Sequence, residues 1–160
     1  MSRRQRKKPN RPSSRLSDHF KKEDFICPMA DRDEFKLSLG LVGALEKLRS
    51  QIQDKITILK GFESVASMNQ NRSIRKNYHN MGLAADIRIE NHSLSQVYEL
   101  VIQVEEIKGI GINLSGNHIH IDTRKSPDRK EWVILNNEFI DITDENRAQY
   151  LQKAAQSTQS

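Results

Sequence analysis

Apolar positions in the middle of the chain follow two periods, and the change from one to the other marks out the elements. Leu37, Leu41, Leu45, Leu48 and Ile52 recur at helical spacing and predict a core-facing helix in "DEFKLSLGLVGALEKLRSQIQ", despite Gly40 and Gly43. "KITILKGF" instead alternates Ile56 and Ile58, and "LAADIRI" alternates after a turn at Met81 and Gly82, so both read as strands. Ser93 and Gln96 form a capping-box pattern ahead of Val97, Val101 and Val104, which predicts a helix through "HSLSQVYELVIQVEEI". Short strands follow in "GIGIN", "HIHID", Trp132 to Leu135 and "EFIDI", while "RLSDHFKKEDF" offers Ser17 or Asp18 as an early helix cap. With no internal repeat or linker, the pattern predicts one α+β domain, its helices packed on a small, largely antiparallel sheet.

The same alternation separates polar from apolar faces. In "GNHIHIDTR" it places His118, His120 and Asp122 on one face and Ile119 and Ile121 on the other. A row of three ionisable groups is unusual on a sheet unless that face is wet or binds something. In "LAADIRI", Ala84, Asp86 and Arg88 share a face, and Gly82 permits the reversal that returns His79 over the strand start. His79, Asp86 and His120 can therefore meet. Two neutral imidazoles and one carboxylate, with a fourth position open to water, make a catalytic zinc donor set. The ordinary alternative is a histidine that merely packs before a strand. His19 and His92, near helix starts, are expected at the surface.

Composition adds boundaries. The net charge of +5 is concentrated at the start, where residues 1–15 hold seven basic side chains and no acid. The remainder has 19 basic and 21 acidic groups. Residues 1–15 are thus expected as a disordered basic arm able to contact polyanions, 16–150 as the folded domain, and 151–160 as a flexible tail. The start has charge but no apolar signal core, and no run approaches the ~18 to 20 apolar residues of a membrane span. Cys27, the single cysteine, is expected as a small buried hydrophobe.

H-x-x-G-x-A-x-D from His79 to Asp86, followed by a strand ending His120-Ile121-Asp122, resembles the zinc D-alanyl-D-alanine carboxypeptidase family, whose fold is shared with the Hedgehog signalling domain. The likeness is collinear over most of residues 16–132. It implies zinc as cofactor with His79, Asp86 and His120 as ligands, and places His118 beside the metal-bound water as the candidate catalytic proton carrier. Three places depart from the family pattern. Where members commonly have Ser-Gly-Tyr-Arg, with the arginine clamping a substrate carboxylate, this chain has Lys60-Gly61-Phe62-Glu63. Where many have an acidic general base, it has Asn117, and Asn77 replaces the usual serine before the first ligand. Glu63 and Asn117 are accordingly assigned to substrate contact, and Arg72, Arg75, Lys76 or Arg88 could supply a displaced cation.

These readings converge on a zinc metallopeptidase acting on peptidoglycan stem peptides, as an endopeptidase or a D-Ala-D-Ala carboxypeptidase. A monomer acting on cell wall in the periplasm or outside the cell is expected, with phage-type release or another route standing in for a secretory signal. The alternative of the same fold is a zinc-binding structural or cell-wall-binding module without catalysis. A nucleic-acid binder ranks below both, because the folded part is slightly acidic and lacks a basic patch interleaved with aromatics.

Overall fold

Described over residues 14–26, 34–64 and 77–157, the computed structural model of the chain is built on one six-stranded sheet. The arm through residue 13, Cys27, the stretch holding Arg72, Arg75 and Lys76, and residues 158–160 lie outside the described residues. In chain order the elements are α1 (Lys22–Phe25), α2 (Leu39–Ser50), β1 (Ile56–Lys60), β2 (Ala84–Ile89), α3 (Leu94–Val101), β3 (Gly109–Asn113), β4 (His118–Asp122), β5 (Lys130–Leu135), β6 (Glu138–Asp141) and α4 (Arg147–Ala155). The strands lie in the order β1-β2-β4-β3-β5-β6, and all neighbours are antiparallel except β3 and β5. This is the α+β architecture expected from the periodicity.

Alternation explains which way the sheet faces. Ile87, Ile110, Ile112, Ile119, Ile121 and Val133 point to one side and are fully buried. They form one core with Leu41, Leu45 and Leu48 of α2 and Leu94, Val97 and Val101 of α3. Each such side chain contributes about 1.5–3 kcal/mol when removed from water. The opposite face carries the polar row, so this packing fixes which side chains remain for chemistry.

Three elements differ from the expected boundaries, each for a local reason. Neither Ser17 nor Asp18 caps α1. Lys21 is the cap residue, and its N–H is held by the Asp24 carboxylate at 2.8 Å. Ser93 and Gln96 do form the capping box, but α3 stops at Val101. Beyond it, the fork of Arg129 donates to the carbonyls of Ile102 (2.9 Å), Val104 (3.2 Å) and Ile107 (3.0 Å), which lie past the last helical turn. Val104 still packs into the core. The expected tail is helical through Ala155, because Ala154 is buried and Tyr150 and Leu151 pack against the core. Tyr98 donates to Glu131 at 2.8 Å and Arg147 pairs with the same carboxylate at 2.9 Å, tying α3, β5 and α4 together.

Candidate active site

The sheet register brings the polar residues together. Asp86 on β2 lies directly opposite His120 on β4, and Gly111 on β3 lies opposite His120 from the other side. His79 arrives from the turn before β2, where Gly82 adopts φ +70° with no room for a side chain: an added Cβ would lie 2.4 Å from the Lys36 carbonyl oxygen. His79, Asp86 and His120 thus converge, each offering one donor atom within 4.8 Å of the others.

Hydrogen bonding decides which atoms face inward. His79 Nδ1 donates to the Gly61 carbonyl at 2.7 Å, so Nε2 keeps its lone pair for the site. On the second candidate donor, His120 Nε2 lies 3.2 Å from Asp122 Oδ2, leaving Nδ1 to face Asp86 Oδ1 at 2.8 Å. His79 Nε2 is 3.2 Å from His120 Nδ1 and 3.3 Å from Asp86 Oδ1. Donors bonded tetrahedrally to zinc at about 2.0–2.1 Å stand about 3.3 Å apart, so this triangle is close to that size. The donor set and its geometry fit zinc.

Electrostatics follow from the crowding. Burial alone would raise the Asp86 carboxyl, but hydrogen bonds and charge from His120 and His79 outweigh it and hold the group well below the usual carboxylate range. Burial works against charge on His120 too, yet Asp122 and Asp86 raise its pKa. For Asp122 the same opposition resolves downward: despite full burial, Arg124 and His120 hold it at about 2. The site is a network of opposite charges that a divalent cation would reorganise by displacing protons.

His118 lies on the site face as alternation predicts, with Nε2 3.7 Å from Asp86 Oδ2. Its Nδ1 is 3.3 Å from the Gly116 carbonyl, an orientation that leaves Nε2 as the acceptor. Glu63 is held by Lys60 at 3.0 Å and by the Asn77 amide at 2.9 Å. Asn77 in turn accepts the His79 backbone N–H at 2.9 Å, so it braces the turn that carries the first ligand. Asn117 occupies the β3–β4 turn with φ 51°, a conformation asparagine tolerates, and its carbonyl accepts from Arg88 at 3.2 Å. The Glu63 backbone N–H also donates to the His79 carbonyl at 3.5 Å. His19 is exposed and paired with Glu46, whereas His92 is half-buried against the Glu90 carbonyl.

Several participants leave little trace in the sequence. Gly109 and Gly111 are needed because an added Cβ would lie 2.0 Å from Asp122 and 2.6 Å from Trp132. Their two-residue spacing on a strand facing the ligands was the available signal. Arg124 and Tyr78 flank ligand segments but fall outside any periodic pattern.

Comparison with protein families matches residues 18–122 to Peptidase M15. The chain belongs to this family. The match takes in all three donors and bears out the resemblance to zinc D-Ala-D-Ala carboxypeptidases and the α+β fold it implied. Peptidases of this family are zinc-dependent, and His79, Asp86 and His120 form the group that could hold the ion. No curated protein matches the chain.

Proposed function

We propose that this protein hydrolyses peptide bonds in peptidoglycan stem peptides, with zinc held by His79, Asp86 and His120. The observation that carries the reading is the triangle of three donors, each oriented by a second partner or by strand register. Zinc bound there would supply Lewis acidity, polarising a carbonyl and bringing the pKa of water toward ~7. His118 carries the proton, since its Nε2 is an acceptor beside Asp86 and it stands outside the donor triangle.

Endopeptidase action is favoured over carboxypeptidase action. Glu63 stands where the family's carboxylate clamp would be, and an acid there repels a terminal carboxylate rather than binding it. In this reading Glu63 and Asn117 contact the substrate chain. The protein acts on cell wall. No helix among the described residues is long and apolar enough to cross a membrane. The competing reading, a zinc-binding module without catalysis, draws on the absence of an acid at position 117. Incubating the zinc-loaded protein with purified peptidoglycan and identifying the released termini separates the two: new peptide termini support the peptidase, and an unchanged polymer supports the module.

A further inference from the structure

Behind the ligands lies a second layer that the metal reading does not use. Asp122 is fully buried, yet its carboxylate accepts from Arg124 Nε at 2.7 Å, Arg124 Nη2 at 2.6 Å and the Arg124 backbone N–H at 3.2 Å, and faces His120 Nε2 at 3.2 Å. This bidentate pairing compensates the buried charge and fixes where the carboxylate points. Arg124 is itself fixed by stacking: its guanidinium carbon lies 4.4 Å from the Tyr78 ring centre and 5.5 Å from that of Trp132. Tyr78 immediately precedes ligand His79, and the Trp132 ring stands 5.4 Å from the His120 ring. The missing side chain of Gly109 makes room for the carboxylate across β3.

From this geometry we infer that Asp122 and Arg124 are a paired positioning device for the metal: Arg124 aims the Asp122 carboxylate, and Asp122 fixes the proton of His120 on Nε2 so that Nδ1 faces His79 and Asp86. Both ring nitrogens face carboxylates, which only accept, Nδ1 that of Asp86 at 2.8 Å and Nε2 that of Asp122 at 3.2 Å, so a metal on Nδ1 would displace the proton there and leave the one on Nε2 with Asp122. The ring then has one orientation in which its lone pair meets the other two donors. Asp122 is therefore a positioning residue and not a base, since both its oxygens are engaged and no part of it is exposed. The inference rests on His120 being a zinc ligand and adds what holds that ligand in place.

The test measures zinc affinity by chelator competition, and the 15N shifts of the His120 ring in the zinc-loaded protein, for the parent and four variants. Asp122→Ala weakens zinc by about 10- to 100-fold, and Asp122→Asn, which keeps the volume and an acceptor oxygen, loses only part of that. Arg124→Met weakens zinc in the same direction, and Arg124→Lys restores part of the loss because it keeps charge but not the fork. In the zinc-loaded parent, His120 shows one arrangement, metal on Nδ1 and proton on Nε2, and in Asp122→Ala that single arrangement is lost as the unheld ring also presents Nε2 to the metal. Asp122→Asn is near-isosteric and remains informative if the alanine variant does not fold. A parent that binds zinc, together with a folded Asp122→Asn that binds within about twofold and keeps the parent His120 pattern, would overturn the inference and leave the metal site standing. A parent that binds no zinc would overturn both.

Discussion

A ligand and its neighbour two residues away can share a strand face and still have separable roles. His120 points Nδ1 into the triangle of donors, whereas His118 reaches only the outer oxygen of Asp86. Replacing His118 by alanine should therefore leave zinc in place and slow cleavage by about 10²- to 10⁴-fold, the usual loss for a general acid or base. Assays on peptidoglycan fragments, with zinc measured on the same samples, check this. Equal activity in parent and variant would move the proton to another group. Asp122 is not that group, being buried and saturated by Arg124, and Glu63 would be next. A shared face was legible in the sequence: alternation placed His118, His120 and Asp122 together. It could not tell that Asp122 turns inward to Arg124, because charge pairing two residues apart leaves no periodic trace.

At the scale of elements, β3 is constrained from the polar side by what it must not carry. Gly111→Ala would set a Cβ 2.6 Å from the Trp132 indole, so the ring or the strand must shift, at a cost of about 1–3 kcal/mol. Denaturant unfolding should show that loss. Gly43→Ala serves as the control, since a Cβ there meets nothing within 4 Å. The α3–β5–α4 junction makes a different prediction. Burial and the hydrogen bond to Glu131 raise the Tyr98 hydroxyl to about 12. An acid that holds its proton more tightly when folded loses stability once the unfolded chain ionises, so stability should fall as pH rises from about 10 to about 12. Tyr98→Phe should flatten the curve in that window, read by melting temperature against pH. The long periodic helix, the capping box and the strands were all readable from the chain. Helix α4 was not, because its buried contribution is small and rests on Ala154, Tyr150 and Leu151 meeting a core built by distant residues. The end of α3 was hidden for the same reason, since Arg129 closes it from 22 to 27 residues away.

At the scale of the molecule, charge and chemistry occupy different parts of the chain. Six basic residues precede residue 14 with no acid among them, while the donors lie on the sheet, at Asp86 and His120, and in the turn before β2, at His79. Ser14 and Arg15 belong to the folded part, the Ser14 carbonyl accepting from Lys22 at 2.8 Å. Deleting residues 1–13 should weaken adsorption to anionic cell-wall polymer in a salt-dependent way and leave turnover of a small soluble peptide unchanged. Comparing binding at low and high salt with the soluble-peptide rate checks both halves, and a large fall in that rate would put the arm in the site. The account as a whole depends on one ion. Zinc stoichiometry, measured on the purified parent and on His79→Ala, Asp86→Ala and His120→Ala, addresses it directly. The predicted result is about one zinc per parent chain and loss of most of it in each variant. A His120→Ala protein that kept the parent's zinc would contradict the account.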